Sequence, residues 1–342
     1  MLNITNDRLI HSLKTALACF VGFVVTRFTH FYIDQWLVIT ILVVMCAQIN
    51  VGSIIQKSYM RFLGTVVGSL LALITLLLFQ HNELAYAAVV TFAGFVFSYI
   101  ATSQASYNEA GTLGAVTVAI ILIGQHPSVA TAVDRCIVIS LGILIAALIS
   151  QFVLPIHARV HLRKNQETTV RQLREYYIAT IKKDKYADVA VVYYDVDEKL
   201  AKSLIAQRKL AVEAAKERLG RRFNPKHFSR ALWCEKEIFR SINFMYHAYA
   251  VSSALKKTLA ELPEFNQFND GICDTLKNIA DCLENQKLQI TIPIPNILAF
   301  KTALLTKLNT LSETDLIRGH AFLFCAEILV ERCKKLARLV VQ

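Results

Sequence analysis

At 342 residues, with 54% hydrophobic side chains and a mean hydropathy of +0.42, the chain is too apolar for an ordinary soluble domain. Its formal net charge is +11, but the basic residues of the second half alternate with acids, which argues against a nucleic-acid-binding face. Residues 1–155 hold six Lys/Arg and five Asp/Glu, leaving 31 and 21 of the totals of 37 and 26 for residues 156–342.

This segregation predicts an all-α fold in two domains. Residues 1–155 form a six-helix transmembrane domain, and residues 156–342 form a basic, cytoplasmic, all-helical domain suited to lie beside an anionic leaflet. The first span is Leu9–Phe28, with His11, Thr15, Ala18 and Gly22 on a small, weakly polar face and Lys14 about one turn inside the membrane edge. The second, Trp36–Ile49, is short and opens on Trp36, which reads as an interfacial anchor. Gln48, Asn50 and Gly52 then break the apolar run before a basic loop with Lys57 and Arg61.

The third span is the one the domain is organised around. Phe62–Phe79 is a run of 18 residues without a charge, about the minimum to cross the hydrocarbon core. Gly64, Gly68 and Ala72 form a small-xxx-small stripe that admits another helix closely. Arg61, Thr65 and Ser69 form a second row at the same spacing. That row suits a cation receiving an anion beside inward-running hydroxyls. It equally suits a snorkelling anchor whose hydroxyls bond their own backbone.

Leu84–Thr102 is the fourth span, and Thr112–Gly124 the core of a fifth that extends back into the polar segment around Tyr107, Asn108 and Glu109. Val129–Leu154 is the sixth, with Asp134 and Arg135 near its start and Pro155 closing it; Asp134 is placed to neutralise Arg135 locally. With the N-terminus inside, Arg8, Lys14, Lys57, Arg61, Arg159, Arg163 and Lys164 face the cytoplasm while Arg27 and Arg135 face out. Seven against two is a positive-inside bias that puts both termini in the cytoplasm.

Beyond Pro155 the pattern becomes amphipathic. His157–Lys183 reads as a charged helix continuing the sixth span, followed by Asp195–Leu219, a helix from Asn224-Pro225 to about Leu262, and Pro263–Gln286. Residues 288–295, LQITIPIP, are an extended crossover, and Asn296–Leu311 and Ser312–Val341 close the chain, with Ser312 and Asp315 resembling a capping box.

No phosphate-binding loop, nucleophile elbow or Cys/His metal cluster is present in the sequence, so no enzyme, cofactor or metal is predicted. The eight cysteines lack C-x-x-C spacing and read as reduced, buried thiols. No cleavable signal peptide is predicted, because the early apolar run, interrupted at Lys14, continues to Phe28 without a cleavage site.

Arg61-Phe-Leu-Gly64-Thr65-Val-Val-Gly68, Arg135 followed seven residues on by Gly142, and Pro155 ending the sixth span resemble the FUSC family of fusaric-acid-resistance-like and aromatic acid exporter proteins. That family is distantly similar to plant aluminium-activated malate transporters. The resemblance implies a bacterial inner-membrane protein that exports organic anions. It also implies a homodimer, since many relatives carry two such units in tandem. The implied partners are a small organic anion, membrane lipids, a second copy of the chain and a periplasmic efflux component.

On this reading Lys14, Arg61, Thr65, Ser69, Glu109, Asp134 and Arg135 are candidates for the substrate path, and Gly64, Gly68 and Ala72 for helix packing. A carrier driven by an ion or proton gradient needs a titrating group at depth, for which Glu109 and Asp134 are available. A passive anion channel and a membrane scaffold that does not transport are the alternatives.

Overall fold

A computed structural model describes residues 6–29, 35–46, 50–79, 82–103, 107–124, 127–182, 189–217, 223–285 and 291–341. Thirteen α-helices and no strand occur among them. The chain divides into two compact units. One runs to Ala158 and takes back a short segment at Lys216–Gly220, and the other holds the remainder.

The first unit contains α1 (Asn6–Thr29), α2 (Gln35–Cys46), α3 (Val51–Leu78), α4 (Glu83–Ser103), α5 (Asn108–Ile123) and α6 (Val129–Phe152). Four of these, α1, α3, α4 and α6, are long and apolar enough to cross a membrane. The other two are shorter: at 1.5 Å per residue, α2 covers roughly 18 Å and α5 roughly 24 Å. Helix α3 packs on α5 and α6, α4 packs on α5, and α1 and α2 pack on α6.

The polarity of this unit is reversed relative to a water-soluble bundle. Phe20, Phe23, Leu70, Leu77, Phe92, Phe95 and Leu144 are exposed, while Lys14, Arg61, Thr65, Thr117 and Arg135 are buried. Large apolar side chains outside and polar ones inside suit a hydrocarbon solvent, which gains nothing from burying leucine.

Glycine sets the tightest contact. A Cβ on Gly64 would stand 2.3 Å from the Ala110 carbonyl oxygen, and one on Gly68 would stand 2.6 Å from that of Gly114. The α3 and α5 backbones therefore meet where neither position can carry a side chain.

The structure departs from the sequence reading around α3. The helix starts at Val51, immediately after Asn50, so Lys57 and Arg61 stand on it, Arg61 in the helical row with Thr65 and Ser69, and no basic loop precedes them. Gly52 does not break it, because it sits in the first turn, where no hydrogen bond from the preceding turn is yet required.

The sixth span also does not run on into the next helix. It ends at Phe152, and Leu154 adopts φ 45°, a left-handed conformation ahead of Pro155 that no α-helix can continue through. The break is held in place: Val51 N donates to Ile156 O at 3.1 Å, and Lys14 Nζ donates to Leu154 O at 3.2 Å.

The second unit comprises α7 (Ala158–Tyr177) with a π-helical turn at Ile178–Lys182, then α8 (Val189–Ala214), α9 (Pro225–Ala250), α10 (Ser253–Ala260), α11 (Pro263–Asn285), α12 (Ile297–Leu308) and α13 (Glu313–Val341). Where one helix was expected from Pro225 to Leu262 there are two. Ser252 interrupts it by accepting a hydrogen bond from Leu255 N at 2.9 Å and so capping α10. Ser312 Oγ caps α13 from Asp315 N at 3.4 Å. Of the expected crossover, residues 291–295 carry neither helix nor strand and residues 288–290 lie outside the described residues.

The core gathers Tyr176, Tyr177, Ile238, Met245, Phe268 and Phe300, with Phe268 and Phe300 stacked at 5.0 Å between centroids. All eight cysteines are free, and burial pushes the Cys333 thiol up to about 12. A thiol so rarely ionised is a small apolar filler.

Candidate anion site in the membrane unit

Helix α3 carries one polar face inward. Ser58, Arg61, Thr65 and Ser69 are all buried on it, with Arg61 only 3% exposed. The spacing of three and four residues stacks them along one side of the helix. The hydroxyls of Ser58, Thr65 and Ser69, and Nε of Arg61, find no hydrogen-bond partner among the described residues.

This bears on one part of the snorkelling reading, the hydroxyls bonded to their own backbone. A hydroxyl satisfied by its own helix bonds the carbonyl one turn back, as Thr75 does to Leu71 O at 2.8 Å. Thr65 and Ser69 make no such bond, so their donors stay available to a group from outside the helix.

Arg135 comes from α6 and is 1% exposed. Its guanidinium carbon lies 4.2 Å from the centre of the Trp36 ring, contributed by α2. Nε and Nη1 have no partner among the described residues. Arg61 and Arg135 stand on α3 and α6, two helices that pack against each other. Two buried guanidinium groups, each with unmatched N–H donors, thus share the interior of one helical unit. Such donors in a dry setting are costly unless an acceptor meets them.

Asp134 does not neutralise Arg135. No ion pair joins them among the described residues, because adjacent residues on a helix point about 100° apart and Arg135 turns inward onto Trp36. Trp36, read from the sequence as an interfacial anchor, is the platform for this arginine.

Glu109, in the first turn of α5, pairs with Lys57 of α3 at 2.9 Å. Lys14 is buried, but its ammonium is taken by the Leu154 carbonyl, apart from the Thr65 and Ser69 hydroxyls. Gly64, Gly68 and Ala72 occupy the neighbouring face of α3, Ala72 in a core with Val118 and Ile121 of α5.

Sequence reasoning missed Thr40 of α2, Thr117 of α5 and Ser150 of α6, each buried with an unmatched hydroxyl. A lone hydroxyl in an apolar span carries no periodic signal, and only the assembled bundle shows that these point inward. No group of three or more metal-ligating side chains occurs among the described residues.

The model of the Fusaric acid resistance protein family matches residues 8–225, more than half of the chain. The chain belongs to the fusaric acid resistance protein family. The matched region takes in all six helices of the membrane unit, with Arg61 and Arg135, and reaches into the second unit as far as the start of α9. The Inner membrane protein YeeA of Escherichia coli (strain K12) is similar to this family member, at 29% identity over 156 residues. That alignment covers 46% of this chain and 44% of YeeA, so the chain matches less than half of that relative's length.

Proposed function

We propose that this chain is a multi-pass inner-membrane transporter that exports organic anions, aromatic or other carboxylic acids, driven by an ion or proton gradient. The observation that carries the reading is the pair of buried guanidinium groups, Arg61 and Arg135, with unmatched donors and no carboxylate paired to either among the described residues. A cation at membrane depth costs on the order of 2.5–3.5 kcal/mol even on insertion scales, and a passing anion offsets that cost. The Trp36 face beside Arg135 suits a planar aromatic acid. The family's description, built on resistance to an acid, and the inner-membrane location in the relative's name support the same reading.

The proposal includes six spans with both termini cytoplasmic, α2 and α5 completing the four longer helices. It includes a homodimer as the working assembly and a periplasmic component that carries the exported acid onward. Labelling of a cysteine introduced at position 342 from outside intact cells would overturn the topology.

The test of function is flux in proteoliposomes, with a panel of aromatic and dicarboxylic acids, with and without a pH gradient. Arg61→Gln should lower flux at matched protein level while the protein still inserts. Lys14→Gln should retain most of it, since that ammonium serves the Leu154 carbonyl. Full flux in Arg61→Gln, or none in the parent, sinks the anion path. Flux indifferent to the gradient identifies passive conduction.

A further inference from the structure

The second unit holds a cavity of about 580 Å³ among α7, α9, α11 and α13, within the roughly 300–1,000 Å³ range of small-ligand sites. Buried Leu162, Phe228 and Leu283 supply apolar lining, beside the polar Gln166, Asn224 and His227. Arg159 and Arg163, one turn apart on α7, stand in its wall. Arg163 has no hydrogen bond or ion pair among the described residues.

Phe223 and Phe228, with ring centroids 6.0 Å apart, also line a neighbouring cavity of about 570 Å³ that carries Arg208 and Lys236. Among the described residues, Arg159, Arg163, Arg208 and Lys236 line the two cavities and no Asp or Glu does, although residues 156–342 contain 21 acids. Other basic side chains of this unit meet partners of several kinds, Arg171 the Asp281 carboxylate at 3.1 Å and Arg174 the Cys273 carbonyl oxygen at 3.1 Å.

We infer that the α7–α9–α13 cavity binds an amphipathic organic anion, an aromatic or acyl body ended by one anionic group, with Arg163 holding the anionic end and the Phe223–Phe228 wall holding the body. A guanidinium presents paired N–H donors to a carboxylate or phosphate, and an apolar floor takes the remainder from water. This site is separate from the Arg61–Arg135 pair and goes beyond the transport reading. The same chemistry comes from a free organic acid or from an anionic lipid.

The test uses the full chain in phosphatidylcholine nanodiscs, photolabelled with 4-benzoylbenzoate and mapped by peptide mass spectrometry. Label is expected in peptides spanning 159–166 and 223–231, displaced by 2-naphthoate. Loss of one charge-assisted contact should cut it by about tenfold in Arg163→Gln. Val340→Glu, which places an acid at the half-buried wall, should cut it likewise, whereas Arg61→Gln should leave it unchanged. Displacement by phosphatidylglycerol added to the disc, but not by 2-naphthoate, assigns the anion to the lipid. Absence of label from these peptides, undiminished labelling in Val340→Glu, or an equal loss in Arg61→Gln overturns the site. Because Arg61→Gln separately reports on flux, failure here and failure of the transport reading are told apart.

Discussion

The guanidinium of Arg135 stacks on the ring of Trp36, 4.2 Å from its centre, joining α6 to α2 inside the membrane unit. A desolvated cation–π contact is worth about 2 kcal/mol. Trp36→Ala should therefore lower the thermal midpoint in detergent, and Trp36→Phe, which keeps a weaker ring face, should recover part of the loss. A thermal scan in which Trp36→Ala matches the parent would remove the ring as a support for this arginine.

The α3–α5 contact makes a sharper demand. Any Cβ at Gly64 or Gly68 meets a carbonyl oxygen on the facing helix, and a backbone cannot rotate aside as a side chain can. Gly68→Leu should cost at least the ~1–3 kcal/mol of ordinary overpacking. Gly94, with nothing within 4 Å of its would-be Cβ, is the control, and Gly94→Ala should be silent. Melting temperature in detergent reads both.

Lys57 and Glu109 clamp the same two helices at one end. The pair is partly exposed, so its worth is modest, about 0.5–1 kcal/mol, and falls with salt. Glu109→Gln alone should destabilise more than that, because it strands the Lys57 ammonium at 10% exposure. Lys57→Gln combined with Glu109→Gln should recover part of the loss. A double-mutant cycle in low and high salt measures the coupling.

In the second unit, burial pushes the Glu235 carboxyl up from 4.5 to about 8, opposed by hydrogen bonds from Gln207 and Gln166. The folded state thus holds this proton between pH 4.5 and 8 while the unfolded chain releases it. Stability from this group is present below about pH 4.5 and is lost as pH rises towards 8. The full difference is on the order of 4–5 kcal/mol. Glu235→Gln should flatten that slope and raise the melting temperature at pH 8. A slope unchanged by the substitution would exclude Glu235 as its source.

The membrane helices were legible because they obey one rule along the chain: a long, predominantly apolar run reads as a helix. The ends of α1, α4 and α6 fall within a few residues of the apolar runs that predict them. The row of Arg61, Thr65 and Ser69 was equally visible, since i to i+4 spacing on a helix is arithmetic. What lies across from that row was not. Trp36 meets Arg135 across nearly a hundred residues of sequence, and nothing in the neighbourhood of either announces the other. The break at Ser252 was missed because a lone serine also sits comfortably on a helix surface. Only its capping of Leu255, with its hydroxyl also donated to Asp315 at 2.7 Å, shows that the chain turns there.

The bond from Lys14 to the Leu154 carbonyl also orders events in time. The two residues are 140 positions apart, and a ribosome adding 5–20 residues per second needs roughly 7–30 s to make that stretch. Through that interval the Lys14 ammonium of α1 lacks the carbonyl it meets in the finished unit. On the six-span proposal, the first helix would hold its lysine towards the headgroups until the last span supplies that carbonyl. Assembly of the unit closes at its two ends together, and a chain truncated before Leu154 would leave its first helix adrift.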